Sequence, residues 1–247
     1  MDLGYKGKVA FVTGCGSPTG FGRRICTLLA EEGCNIIGCD VETETTEETI
    51  RLVKEFGVEG LALVFDVRDR TAVDAAVKKA IDKFGKIDIL VNNAGASWSH
   101  ASNFVDMTKE MLYFDIEVNL LGQMNVAQAI LPYMIEKKFG RIINFLGGRG
   151  VPGLSAYGAA KGGVKEWSNS LAVEVAQYNV YVNTFAPGLA YTGLTKGASE
   201  GFMQHVTNMT KQKRLCTAED VAPIIAFMAS DKNSYMTGGH ISIGDSQ

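Results

Sequence analysis

Apolar residues are distributed along this chain in two alternating patterns. Nearly continuous β-branched and apolar runs of strand length occupy residues 9–13, 35–39, 61–65, 87–91, 141–145 and 180–184, and a shorter one lies near 240–243. Between them, 21–32, 46–56, 71–84, 109–136, 156–177 and 218–229 carry apolar residues at helical spacing. Strand and helix patterns that alternate in this way predict βαβ units and hence a parallel sheet. Strands this uniformly apolar fit a sheet covered by helices on both faces. The expected class is therefore α/β, a doubly wound sheet of seven parallel strands. One stretch breaks the pattern: 189–215 contains Gly and Thr, is weakly periodic and is rich in Met and Lys, and it reads as a mobile flap. No proline-rich or low-complexity linker divides the 247 residues, so one domain spanning 1–247 is expected.

Composition narrows the function classes. A hydrophobic share of 46% and a charged share of 21% are ordinary for a globular chain and argue against disorder or a disulfide scaffold. A net charge of −3, with Lys and Arg scattered, argues against nucleic acid as a partner. The apolar runs are far shorter than a bilayer span and the opening residues carry no apolar signal core, so a cytoplasmic protein without membrane attachment is expected. The five cysteines form neither a CxxC pair nor a zinc pattern, which leaves buried free thiols as the expectation. Cys15 differs from the others in lying inside a glycine-rich loop, where exposure would make it oxidisable.

That loop carries the first chemistry. The first predicted strand runs into Gly14, Gly16, Ser17, Gly20, Phe21 and Gly22 just as a helix begins. Glycines let backbone approach a pyrophosphate, and a helix start supplies free N–H groups and a favourable dipole. Asp40 closes the second strand about 20 residues later, the spacing at which an acid hydrogen-bonds an adenosine ribose diol. A carboxylate there repels a 2′-phosphate, and neither Thr19 nor Val41 offsets it, so NAD is expected in preference to NADP. Further on, Tyr157 and Lys161 stand one helical turn apart and share a face. A phenol is a poor base near neutral pH, and a neighbouring ammonium would favour its phenolate.

Taken with Asn92-Asn93-Ala94-Gly95 after the fourth strand and the Asn183 to Gly188 stretch, these motifs resemble the short-chain dehydrogenase/reductase family over essentially the whole chain. The resemblance implies a Rossmann fold, hydride transfer between a nicotinamide and an alcohol or carbonyl, and a homotetramer or homodimer. It implies Tyr157 as the acid/base, Lys161 on the nicotinamide ribose and Asn119 supporting a water that links Lys161 to solvent. It implies Asp66 and Val67 at the adenine, Asn92, Asn93, Ala94 and Gly95 along the cofactor, and Pro187, Gly188, Leu189 and Thr192 at the carboxamide.

Two departures stand out against that family. The serine that normally follows the fifth strand and hydrogen-bonds the substrate oxygen is matched here by Gly147, when the strands are aligned on Asn144. Donors aimed at a developing oxyanion supply several kcal/mol, so something else must compensate or activity is low. Ser155 reads as a helix N-cap rather than a substitute. Arg149 is either a solvent-facing loop residue or a guanidinium that holds a polar or anionic substrate. The second departure is the glycine loop, where five residues separate Gly14 from Gly20, more than the family usually has.

The expected function is an NAD-dependent oxidoreductase that interconverts a secondary alcohol and a ketone. Trp98, His100, Tyr191, Phe202, Met203 and His205 are candidates for the pocket lining, each equally readable as core or surface. Two other readings use the same residues: bound NAD assisting an elimination, isomerisation or C–C bond reaction without net redox change, and a catalytically weak nucleotide-binding sensor. No metal is expected.

Overall fold

The computed structural model describes residues 2–98, 102–148, 152–190 and 200–244. Its strands are β1 (Val9–Thr13), β2 (Asn35–Asp40), β3 (Gly60–Val64), β4 (Ile89–Asn92), β5 (Gly140–Phe145), β6 (Val180–Ala186) and β7 (His240–Ser242). They form one seven-stranded sheet in the order β3-β2-β1-β4-β5-β6-β7, with every pairing parallel. This is the expected doubly wound Rossmann sheet. The strand order reverses between β1 and β4, and the crevice outside their carboxyl ends is where such sheets bind ligands.

The helices are α1 (Phe21–Glu31), α2 (Thr43–Lys54), α3 (Arg70–Phe84), α4 (Lys109–Ile116), α5 (Gly122–Lys137), α6 (Ser155–Val175), α7 (Glu200–Met209) and α8 (Ala218–Ala229). Adjacent strand residues feed opposite cores, which is why the strand runs are apolar throughout. Val12, Ile36, Val91 and Ile143 pack with Ile25 and Leu29 of α1 and Ile225 of α8. Their neighbours Phe11, Ile37, Leu90 and Ile142 pack with Val73 of α3 and Val126 and Ile130 of α5. The ends of α3 show local control: the Asp69 carboxylate accepts the Ala72 amide at 3.0 Å, and Gly85, at φ 72°, closes the helix.

Two expectations are corrected and one is refined. The helix expected over 109–136 is interrupted by a π-helical turn at Glu117–Leu121, which places Asn119 on the bulge. Within 189–215, expected to be irregular, residues 200–209 form α7, a ten-residue helix whose Phe202, Met203, Val206 and Met209 recur at helical spacing. Flanking Gly and Thr residues diluted that short periodicity, and 191–199 lie outside the described residues. Ser155 is the first residue of α6 rather than its cap, with Leu154 before it, and its hydroxyl faces Met107 Sδ at 3.8 Å. Among the described residues no helix is long and apolar enough to cross a membrane.

Candidate active site at the carboxyl ends of the strands

The glycine loop is built by close packing. Gly14 adopts φ 71°, and a Cβ there would lie 2.8 Å from both Ala94 Cα and Asn93 Nδ2. Asn93 Nδ2 donates to the carbonyls of Thr13 (3.0 Å) and Gly14 (2.9 Å), while Thr13 Oγ1 accepts the amides of Asn93 (3.1 Å) and Ala94 (3.0 Å). The ends of β1 and β4 are thereby tied together. A Cβ at Gly22 would overlap the Gly14 carbonyl oxygen, so the first turn of α1 seats directly on the loop. Cys15 is buried beside Gly38 and anchors the loop in the core, so the exposure that would have made it oxidisable is absent. Gly20 precedes α1 as its N-cap and donates its amide to the Ser17 carbonyl at 3.1 Å. The Phe21 ring lies 6.2 Å from that of Phe145.

Asp40 meets the loop from β2. Its Oδ2 accepts the Gly16 amide at 2.7 Å and its Oδ1 the Val41 amide at 2.7 Å. Arg23, which the sequence reading passed over, donates to the carbonyls of Gly16 (2.9 Å) and Thr45 (3.1 Å) and to Thr49 Oγ1 (2.9 Å). At the expected adenine end, Asp66 is gripped by Arg68 through Nε (2.9 Å), Nη2 (2.6 Å) and the backbone amide (2.9 Å). That hydrogen bonding holds the Asp66 carboxyl below its ordinary range. Val67 offers its carbonyl to Asn125 Nδ2 at 3.0 Å. The loop's missing Cβ atoms leave a backbone cradle at a helix start, with the Asp40 carboxylate beside it, and these residues fit a dinucleotide.

The Tyr–Lys end lies beside β5. Tyr157 is 6% exposed and Lys161 2%. Lys161 Nζ donates to the Phe145 carbonyl at 3.0 Å and sits 5.6 Å from the centre of the Tyr157 ring. Gln123 Nε2 donates to the same carbonyl at 3.0 Å. Asn119 Nδ2 donates to the carbonyls of Ala96 (2.5 Å) and Asp115 (2.9 Å), and its buried Oδ1 has no hydrogen-bond partner among the described residues. Gly95 joins the two groups, since a Cβ there would lie 2.9 Å from Asn119 Oδ1 and 3.5 Å from Lys161 Nζ. Asn92 is buried and donates to Asn144 Oδ1 at 2.9 Å.

Electrostatics here run against the sequence expectation. Burial pushes Lys161 down to about 7, and burial together with the Asp115 carboxylate pushes Tyr157 well above the ordinary phenol value. For the phenol, desolvation outweighs the help expected from the ammonium. Asp115 is the residue that sequence reasoning missed. It is fully buried on α4 and accepts Ser97 Oγ at 3.0 Å and the Trp98 amide at 2.8 Å. Its signal was an acid one turn before Asn119, on the same helix face.

The other predicted residues are less converged. Trp98 is 52% exposed and edge-on to Phe114. Pro187, Gly188 and Leu189 follow β6, and the Leu189 carbonyl accepts the Cys216 amide at 2.7 Å. Gly147 follows β5 and abuts Tyr157. Arg149, Tyr191, Thr192 and His100 lie outside the described residues, as does the Phe202 side chain.

Comparison with known proteins agrees with this arrangement. The enoyl-(acyl carrier protein) reductase family model matches residues 14–244. The 3-oxoacyl-[acyl-carrier-protein] reductase FabG of Thermotoga maritima is 37% identical over 246 residues, covering 96% of each chain. The oxidoreductase UcpA of Salmonella typhimurium is 36% identical over 94% of this chain and 91% of its own. Among solved structures, NAD+-bound xylitol dehydrogenase superposes with a TM-score of 0.89 at 30% identity, over 97% of this chain and 98% of that one. The L-sorbose reductase of Gluconobacter frateurii, complexed with NADPH and L-sorbose, gives 0.89 at 30%, over 98% and 97%. The chain belongs to the short-chain dehydrogenase/reductase family of oxidoreductases.

Proposed function

We propose that this protein is an NAD(H)-dependent oxidoreductase that interconverts a secondary alcohol and a ketone. The observation that carries the reading is that Lys161 and Asn119 meet at Gly95, with the Tyr157 ring centred 5.6 Å from Lys161 Nζ, at the mouth of the dinucleotide crevice. The nicotinamide, when bound, supplies the hydride acceptor or donor. In the oxidising direction Tyr157 Oη takes the hydroxyl proton of the substrate, and in the reducing direction it returns one. Lys161 favours the phenolate when it is charged, and its proton, held weakly at about 7, is available for transfer. Asn119 Oδ1 offers a buried acceptor on the path from Lys161 toward solvent. The cofactor residues are those of the glycine loop, Asp40, Asp66, Val67, Asn93 to Gly95, and Pro187, Gly188, Leu189 and Thr192.

Asp40 supports NAD over NADP, because its carboxylate faces the loop where a 2′-phosphate would add negative charge. Arg23 is committed through Nε and Nη2 to Thr49, Gly16 and Thr45, which ties its guanidinium to the loop and to α2. Relatives use both cofactors, one structure holding NAD+ and another NADPH. We further infer self-association as a homotetramer or homodimer, supported by the exposed Phe104, Val105 and Tyr113 near α4 and Tyr235 ahead of the edge strand β7.

The test is an absorbance screen for NAD reduction against cyclic and aliphatic secondary alcohols, with NADP and the Tyr157→Phe variant as controls. Turnover with NAD that disappears in Tyr157→Phe is expected. Dinucleotide binding without turnover across the panel would overturn the reading in favour of chemistry without net redox change.

A further inference from the structure

The end of β5 and the first turn of α6 approach more closely than any side chain at position 147 allows. A Cβ on Gly147 would overlap Tyr157 Oη and lie 2.7 Å from Cζ and 2.8 Å from Cε1. The obstruction is therefore the edge of the ring and not only its hydroxyl. Neither partner is free to give way. The phenol is buried on the inner face of α6 with Ala156, Ala160 and Lys161. The backbone before Gly147 is pinned, since the Leu146 amide donates to the Phe185 carbonyl at 2.8 Å, and Leu146 itself is buried with Val164 of α6 and Ala186 of β6.

The space where the family resemblance implies a serine side chain is thus occupied here by the tyrosine. We propose that Gly147 is a positioning residue, whose lack of a side chain seats the Tyr157 phenol against the end of β5 as the donor to the substrate oxygen there. A serine introduced at 147 does not restore a second donor; it displaces the first. The missing serine is then a consequence of where this chain holds its tyrosine, and the site works with one hydroxyl in place of two. The inference rests on the reading of Tyr157 as acid/base.

The experiment is a double-mutant cycle on the whole chain with Gly147→Ser and Tyr157→Ala, read by thermal melting, NAD binding calorimetry and steady-state kinetics. Gly147→Ser alone is expected to lower the melting temperature by roughly 4–8 °C. In the Tyr157→Ala background, where the ring is gone, the same change should cost much less. Turnover in Gly147→Ser should fall roughly 100-fold through kcat, because misplacing a reacting group by about an ångström costs that much, while NAD affinity stays unchanged. Gly147→Ala should behave in the same way, since the clash lies at Cβ. If Gly147→Ser does not fold alone, recovery of folded protein in the Tyr157→Ala background tests the same contact.

Equal melting losses in both backgrounds, or a kcat raised by Gly147→Ser, would overturn the proposal. Its failure is separable from that of the acid/base reading. Additive melting losses with Tyr157-dependent turnover remove only the positioning role. Turnover that survives in Tyr157→Phe removes the acid/base role, while coupled melting still upholds the seating of the ring.

Discussion

The carboxylate of Asp40 accepts the amide of Gly16 at 2.7 Å, so the acid that ends β2 also shapes the glycine loop that follows β1. A carboxylate has acceptor sites to spare, and both Asp40 oxygens, each already holding one amide, retain lone pairs for a ribose diol. Asp40→Ser should therefore act twice. Losing charge-assisted hydrogen bonds should weaken NAD by about 10- to 100-fold, and removing the negative charge should narrow or reverse the preference over NADP. Calorimetric titration of both dinucleotides checks this, and equal weakening of both would show that Asp40 only holds the loop.

Lys161 gives stability a predictable pH dependence. Its value falls from 10.5 unfolded to about 7 folded, so between those limits the unfolded chain binds more protons and stability rises with pH, by about 1.4 kcal/mol for each unit. Below about 7 the folded protein carries a buried ammonium and the gain is absent. Lys161→Met removes that burden. It should raise the melting temperature at pH 6 relative to wild type, with the advantage shrinking by pH 9. An advantage that does not change with pH would mean that the ammonium is well solvated.

Much of this architecture was legible because each strand serves two cores. Val12 and Phe11 face opposite helices, and such pairs produce the uninterrupted apolar runs that betray a covered parallel sheet. Tyr157 and Lys161 were legible for a similar reason, a one-turn spacing that survives folding. The π-turn around Asn119 was not, since one extra residue in a turn leaves the helical repeat on either side intact. Asp115 resembled any helix acid until burial placed it against Ser97 and Trp98. Gly147 could be read as an absent serine, but its contact with Tyr157 depends on how β5 ends and α6 begins, which no periodicity records.

Asp115 sets the next prediction. Burial is the larger influence raising Tyr157, and the Asp115 charge adds to it from α4, opposed by Lys161 on the tyrosine's own helix when that lysine is protonated. Asp115→Asn keeps an acceptor for the Trp98 amide and removes the charge, so phenolate formation becomes easier. The acid limb of the alcohol-oxidation profile should move to lower pH. A purely structural Asp115 would lower kcat at every pH without moving the limb, and a full pH profile of kcat distinguishes the two.

Two glycines should respond in opposite directions to the same added methyl group. At Gly22 a Cβ overlaps the Gly14 carbonyl oxygen and lies 2.7 Å from Asn93 Nδ2, and both obstacles are tied into the β1–β4 junction. Gly22→Ala must push α1 off the loop, at about 1–3 kcal/mol, and disturb the helix start on which a pyrophosphate would rest. At Gly162, inside α6 and next to Lys161, a Cβ meets nothing within 4 Å. Gly162→Ala should therefore stabilise by about 0.5–1 kcal/mol through helix propensity alone. Thermal melts and NAD titrations of the two variants side by side test the contrast. If Gly22→Ala keeps its NAD affinity, close seating of α1 on the loop is not what holds the dinucleotide, and the loop must bind through residues nearer Ser17.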